Sequence, residues 1–519
     1  MDHQSTPLPP PLINTRERIT WEQFENRQIF DYLRNQPDPN APDSDELILS
    51  NKELAAQLKV RIAQFLSSPQ LPNQRSNLIA LGEAYCKRKI LLWRLFPFND
   101  LPVEIVINIF RYAVWSTHSS SGGVLSRFRL TWVCKRWRHI AVHDQTLWNT
   151  ISIKDPKISY SRSKLFFERA GTTPLDLRIE DDSKTRVNSD RPMTGDDMQR
   201  IMDIFITKSG QIRVFIVIVE MWPPILVFLD TLHKSSRPFR QLERVEIHRT
   251  GRPYRWDGPG YPLSEYQHAL TLCNGDTRLV NNLCLNGIHL NWDKCRLANL
   301  TSLDLRRMPP DLGPSLERFR EILESSPNLK KLSLDGAGPV QPTSAPRCPY
   351  PPVVLPKLES LVLGDTFIAY AIFCAGTIHA PNVREMTLLN LVGEDHAPLL
   401  KALTGKFPEL LILTLYCLNV QKIPQNGRIM AQWLLSMPKV KFMRVAAMKS
   451  HMFMPFLGDG RLHITDDLPL PPNPEEEAAI LANGSRINVL PNLEAIEVQR
   501  IDIDSVVNFV HGRSNSECH

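Results

Sequence analysis

No apolar run in the 519-residue chain is long enough to cross a bilayer. The greasiest stretch, FIVIVEMWPPILVFLDTL, is broken by Glu220 and by Pro223-Pro224. Neither piece reaches the ~18 residues a spanning helix needs, so no membrane partner is expected. The opening MDHQSTPLPPPLINTRER lacks a basic stretch followed by an apolar one, and no secretory signal is read there. The nine cysteines (Cys86, Cys134, Cys273, Cys284, Cys295, Cys348, Cys374, Cys417 and Cys518) are odd in number, scattered, and include no Cys-x-x-Cys pair. That usage points to reduced thiols and a cytoplasmic and/or nuclear location. A net charge of +6 is too small and too dispersed for a nucleic-acid footprint. The basic stretches CKRKILLWR and RFRLTWVCKRWR read as solvated helix faces or as charges flanking a docking surface.

Catalytic signatures are missing too: no His-Glu-x-x-His, no Gly-x-x-x-x-Gly-Lys, no Gly-x-Ser-x-Gly, no Gly-x-Gly-x-x-Gly. Cys284 and Cys295 bracket His289 and Asp293, but the spacing fits no zinc pattern. The chain is therefore read as a protein without catalytic residues, cofactor or metal.

What is present is organised along the chain. Residues 1–45 form a proline-rich polar tail that cannot offset its ordering entropy, and disorder is expected there. Over 46–98 apolar residues recur at helical spacing (Leu54, Leu58, Ile62, Phe65; Leu78, Leu81, Tyr85), with SSPQLPNQ separating two helices. Residues 99–150 are denser in apolar side chains. In NDLPVEIVINIFRYAVW, Val103, Ile105, Val106, Ile107, Ile109 and Phe110 give one helix more apolar surface than one face can hide.

From 151 to 519 a different signal takes over: a short strand apolar at its first, fourth and sixth positions, usually prefaced by Pro with Asn, Lys or Glu. It runs through RQLERVEI, RLVNNLCL, ANLTSLDL, PNLKKLSL, PKLESLVL, PNVREMTL, PELLILTL, PKVKFMRV and PNLEAIEV. The first positions are 38, 20, 29, 29, 25, 27, 30 and 53 residues apart; loop insertions at 248–261 and 458–489 fall in the 38- and 53-residue intervals, and a further loop insertion is read at 335–356. A lone strand cannot hide such leucines, whereas stacked copies can. Spacing and period are those of leucine-rich repeats. The expected fold class is an α/β solenoid, an irregular leucine-rich-repeat array preceded by all-α segments. SLERFREILESS (315–326) supplies one closing helix, and Pro-rich 338–356 replaces another with loop. The Asn or Cys of the repeat pattern is mostly missing; Met308, Ala337, Thr366, Leu391 and Leu418 stand in its place.

Residues 99–150 resemble the F-box. The matched elements, in order, are Leu101-Pro102-x-Glu104-Ile105, Ile109-Phe110, Val133-Cys134-Lys135-x-Trp137, Ile140-Ala141 and Leu147-Trp148. The Ser/Gly-rich spacer at 116–123 is longer than the compact motif uses. With repeats behind it, the layout is similar to the F-box/leucine-rich-repeat proteins common in fungi. The resemblance implies that Leu101, Pro102, Glu104, Ile105, Ile109, Phe110, Val133, Cys134 and Trp137 bind a Skp-type adaptor, which links the chain to a cullin in a ubiquitin ligase. Pro102 suits a helix start and Glu104 suits its positive end. Phe110 and Trp148 are also candidates for facing inward.

The loop HRTGRPYRWDGPGY gathers Arg249, Arg252, Tyr254, Arg255 and Trp256, residue types enriched at binding hot spots, and is a candidate substrate contact. The expected function is substrate recognition for an SCF-type (cullin–RING) ubiquitin ligase, with an unidentified target protein held by the repeats. The alternative is a protein-binding repeat scaffold outside any ligase.

Overall fold

The computed structural model describes residues 101–116, 120–154, 160–181, 192–235, 238–251, 271–342, 348–421, 424–448, 461–463, 486–488 and 490–501, with Ala56, Gln57, Val60, Ala80, Gly82, Tyr85 and Val507. The tail 1–45, most of 46–98, and most of the insertions at 248–261 and 458–489 lie outside these residues. The chain divides into two compact units, Met1–Leu130 and Thr131–His519.

In the first unit every described position before residue 101 is helical, and Tyr85 is buried. Helix α1 (Val103–Trp115) starts directly after Pro102, whose carbonyl accepts from the Ile105 and Val106 amides at 3.1 and 3.2 Å. Helix α2 (Ser120–Val133) crosses the division between the units.

The second unit opens with α3 (Lys135–His143), then β1 (Thr150–Ile153), α4 (Ser161–Arg169) and β2 (Leu175–Asp181). Next come α5 (Gly195–Phe205), β3 (Ile212–Val219), α6 (Trp222–Lys234), β4 (Arg244–Arg249) and β5 (Asn282–Asn286). The run FIVIVEMWPPILVFLDTL thus splits at Glu220-Met221 into a strand and a helix with prolines in its first turn, where no amide partner is lost. Among the described residues no helix is long and apolar enough to span a membrane.

Beyond lie β6 (Ser302–Arg306), α7 (Leu316–Glu324), β7 (Lys331–Asp335), β8 (Val353–Val354) and β9 (Ser360–Gly364). The chain continues through α8 (Ile368–Gly376), β10 (Ile378–His379), β11 (Glu385–Leu389), α9 (Ala397–Leu403) and β12 (Ile412–Tyr416). It closes with α10 (Pro424–Leu435), β13 (Phe442–Ala446), β14 (Arg461–His463), β15 (Arg486–Asn488) and β16 (Ala495–Gln499). Ser315 caps α7 by accepting from the Arg318 amide at 3.1 Å. Between β7 and β9 the described residues form no helix, in keeping with the Pro-rich composition there.

Twelve strands form one parallel sheet in the order β1-β2-β3-β4-β5-β6-β7-β9-β11-β12-β13-β16, so each strand between the edges β1 and β16 pairs with the sheet strand before it and the one after it. The two pairs β8–β10 and β14–β15 stand apart. The nine strands expected from the leucine spacing are β4 to β7, β9, β11 to β13 and β16; β1 to β3 extend the same sheet. Register aligns the apolar positions into two continuous rows. One runs Ile151, Leu177, Phe215, Val245, Leu283, Leu303, Leu332, Leu361, Met386, Leu413, Met443 and Ile496. From Ile151 to Met443 these side chains are no more than 2% exposed. Burying one contributes roughly 1.5–3 kcal/mol.

Two devices keep copies in register. Before six strands a turn carries Pro at its second position, as in Ser326-Pro327-Asn328-Leu329, closed by amide-to-carbonyl bonds of 3.0–3.4 Å at Leu329, Leu358, Val383, Leu410, Val440 and Leu493. Proline pre-sets the φ that such a turn needs. After eight strands the next residue is left-handed: Gly287, Arg307, Gly336, Asp365, Asn390, Cys417, Ala447 and Arg500, with φ between 44° and 70°. The first seven each donate their amide to a carbonyl on the following copy, Arg307 to Asp335 at 2.7 Å for example. The turn also directs the next residue inward, so Met308, Ala337, Leu391 and Leu418 are buried where the repeat pattern has Asn.

Candidate functional site

Helix α1 carries two apolar stripes. Val106, Phe110 and Val114, spaced four apart, are buried. Ile105, Ile109 and Tyr112 follow the same helical spacing on another face and are 45%, 40% and 76% exposed. Val103 and Trp115 are exposed as well. Glu104 lies in the first turn, at the positive end of the helix dipole. Leu101 is half-buried and Pro102 exposed.

Phe110 departs from its expected part in adaptor contact and follows its other reading, facing inward. It has no exposed surface, whereas Ile105 and Ile109 on the neighbouring stripe remain exposed. Composition alone could not separate the two stripes, because both are apolar. Sequence reasoning missed Tyr112, Trp115, Leu125 and Trp132, which are also exposed. The interval of seven from Ile105 to Tyr112 was the available signal. The Arg127 guanidinium lies 4.8 Å from the Trp115 ring centroid and fixes that indole from one side.

Val133, Cys134 and Trp137 are half-buried at the junction of α2 and α3. Cys134 is the cap of α3: its Sγ accepts from the Trp137 amide at 3.4 Å. Arg138 Nε donates to the Thr131 carbonyl at 2.7 Å, tying the junction down. Farther on, Trp148 is fully buried, as its alternative reading allowed. Its Nε1 donates to the Ala141 carbonyl at 2.7 Å, and its ring meets Phe166 edge-on at 5.0 Å. Trp148 therefore joins α3 to the first strand–helix pair of the sheet.

The loop candidates divide. Arg252, Tyr254, Arg255 and Trp256 lie outside the described residues. Arg249 ends β4, is 3% exposed, donates from Nε to the Gly287 carbonyl at 3.1 Å and stacks 4.5 Å from the Trp222 ring centroid. It braces the sheet and is not available to a substrate in this structure, because it is buried against its own chain.

On the sheet face opposite the leucine rows, β3 presents Val214, Ile216 and Ile218, while β2, β4 and β6 carry charges that are matched locally. Arg178 pairs with Glu180 at 2.9 Å, Arg244 with Glu246 at 2.5 Å and Arg306 with Asp304 at 2.6 Å, each two residues apart on one strand. Hydrogen bonding from His248, opposed by burial and joined by Arg244, lowers the Glu246 carboxyl to about 2. Cys284, on the same face, is buried, and desolvation raises its thiol. Among the described residues no group of His, Cys, Asp and Glu is arranged to hold a metal ion.

Against these observations stands one family match: residues 98–154 fit the F-box-like family model, a stretch that takes in α1, α2, α3 and β1. No curated protein matches the chain. F-box domains bind Skp-type adaptors in SCF complexes, and a domain of this kind suggests a role as a substrate receptor in SCF-type ubiquitin ligases.

Proposed function

We propose that this protein is the substrate-recognition subunit of an SCF-type (cullin–RING) ubiquitin ligase. Ile105, Ile109 and their exposed neighbours dock in the groove of a Skp-type adaptor, a helix-in-groove mode. The twelve-strand array, which we read as an irregular leucine-rich-repeat solenoid, holds the target protein. The chain supplies no catalytic group. It acts by tethering, which raises the effective concentration of target lysines at a charged conjugating enzyme. The thiol usage and the absence of any spanning helix among the described residues fit a cytoplasmic and/or nuclear site of action.

The observation that carries this reading is the second apolar stripe of α1, inside the F-box-like match. Each aliphatic side chain buried there is worth roughly 1.5–3 kcal/mol. Several together, with the indole of Trp115, can exceed an association cost of ~4–15 kcal/mol.

The test is binding of the full chain to a purified Skp-type adaptor, with and without Ile105→Asp/Ile109→Asp. The expected outcome is a loss of at least ~100-fold, about 2.7 kcal/mol, with an unchanged unfolding midpoint. Wild-type chain that ignores the adaptor, or a variant that binds as well as wild type, overturns the reading.

A further inference from the structure

The two ends of the late strands differ in charge. On the entry side, segments 327–331, 356–360, 381–385, 408–412 and 438–442 carry Lys330, Lys331, Lys357, Arg384, Lys439 and Lys441 against Glu359, Glu385 and Glu409. Here the charges of neighbouring copies meet: Lys439 pairs with Glu409 at 2.6 Å and Lys441 with Glu494 at 2.7 Å. On the exit side from β7 to β12, segments 335–341, 364–369, 389–396 and 416–421 carry Asp335, Asp365, Glu394 and Asp395 and no lysine or arginine, with Arg306 and Arg307 at the β6 exit and Lys422 and Lys449 farther along the chain.

Asp395 is occupied, accepting from the Ala397 and Gln421 amides, both at 3.2 Å, and from Asn426 Nδ2 at 2.9 Å. Asp335, Asp365 and Glu394 have no ion-pair partner among the described residues, and Asp365 and Glu394 are exposed. Burial first, and then the neighbouring Asp365 charge, raise the Asp335 carboxyl against the opposing pull of Arg306 and Arg307.

Between these acids stand two exposed apolar side chains, Phe367 at 69% and Val392 at 52%. They are directly paired across adjacent copies by a parallel bridge, with the Ile368 amide donating to the Val392 carbonyl at 3.2 Å and the Val392 amide to the Thr366 carbonyl at 2.8 Å. The rim is fixed from behind. The buried His396 ring lies 2.5 Å from the Asn419 carbonyl through Nδ1 and 3.0 Å from the Leu391 carbonyl through Nε2. Preorganised apolar anchors ringed by unmatched charge of one sign select a partner of the opposite sign.

We infer that the exit-side rim from β7 to β12 docks a target-protein segment that places a large apolar side chain on Phe367 and Val392 and flanking lysines or arginines on Asp335, Asp365 and Glu394. This deepens the receptor reading above, and rests on it, by naming the chemistry of the target: a basic stretch with an apolar anchor.

The test is selection of a displayed library of random 16-residue peptides on the full chain, followed by binding of the selected peptides to Asp365→Asn/Glu394→Gln and to Phe367→Ser. Expected are peptides with two or more Lys or Arg beside Phe, Leu, Ile or Met. Their affinity should fall at least tenfold in each variant, and in the wild type at 0.5 M salt. Enrichment of acidic or neutral peptides, undiminished binding to the variants, or no enrichment at all overturns the inference. So does a wild-type dimer that Phe367→Ser converts to monomer, which would assign the patch to a second copy. Adaptor binding is measured on the same variants and is expected unchanged. Failure of the rim with adaptor binding intact is thereby distinguishable from failure of the ligase reading, which the Ile105/Ile109 variant tests alone.

Discussion

The exposed stripe of α1 and the leucine rows of the sheet are built from the same side chains at equally regular intervals, yet the chain covers one and leaves the other bare. Ile105 and Ile109 keep two-fifths or more of their surface, whereas Leu332, Leu361 and Leu413 keep 1% or less. Periodicity alone tells how many faces an element has. What covers each face depends on how many like elements stand beside it. A strand with a copy on either side shares its row, and a single helix with apolar residues on two sides has a face to spare.

The comparison breaks hardest at the covered end. Leu413→Ala opens a cavity in the middle of a row flanked by Met386 and Met443, and should destabilise the second unit by about 2–5 kcal/mol, read as a lowered denaturant midpoint. The corresponding change on the bare stripe, Ile109→Ala, should move that midpoint by no more than about 0.5 kcal/mol. Equal losses at the two positions would erase the distinction drawn here.

Acid sharpens the contrast on the polar face. Glu246 titrates at about 2 in the folded chain because His248 and Arg244 hold its charge, against roughly 4.3 when unfolded. Its contribution is complete above the unfolded value and is lost as the pH falls from there toward about 2. Glu246→Gln should flatten the acid limb of a stability–pH curve over that window, and an unaltered limb would show the pair to be inert.

Smaller effects are expected at the strand exits. Ala447 has φ of 51°, a conformation glycine adopts at no steric cost. Ala447→Gly should therefore stabilise by about 0.5–1 kcal/mol, the relief of left-handed strain less the added freedom of the unfolded chain. Gly287→Ala should do the reverse, since φ is 70° and a Cβ there would meet the Arg249 carbonyl oxygen at 3.1 Å. Least of all, Asp335→Asn should raise the midpoint at neutral pH by roughly 0.5 kcal/mol. Its carboxyl is raised by burial and by Asp365, so ionisation opposes folding as the pH climbs through its range.

Sequence reveals these regions unequally, for physical reasons. The late strands announce themselves because a proline turn and three apolar positions recur together, and both are local chemistry. The first three strands were harder to see. β3 sits in a greasy run whose break at Glu220 and Pro223-Pro224 marks a boundary but does not say which side is strand and which is helix, and β1 and β2 lack the turn. The left-handed exit positions were half visible: Gly287, Gly336, Asp365 and Asn390 suit that conformation, while Arg307, Cys417, Ala447 and Arg500 do not advertise it. On α1 the residues were legible but their division was not, since Phe110 and Ile109 are interchangeable in composition and opposite in exposure. Arg249 misled for a related reason: a residue type common at interfaces is equally able to brace a strand end.

The amide that leaves each strand exit finds its carbonyl on the next copy, from Gly287 to Arg306 through to Ala447 to Gln499. Whatever chain follows an exit is thereby relieved of any duty to hold the sheet. Segments as unlike as the helix-bearing 365–384 and the helix-free 336–342 hang from the same peg. Such a fixture lets one connecting segment be lengthened, shortened or exchanged while its neighbours keep their grip, so that the array can be altered one tooth at a time.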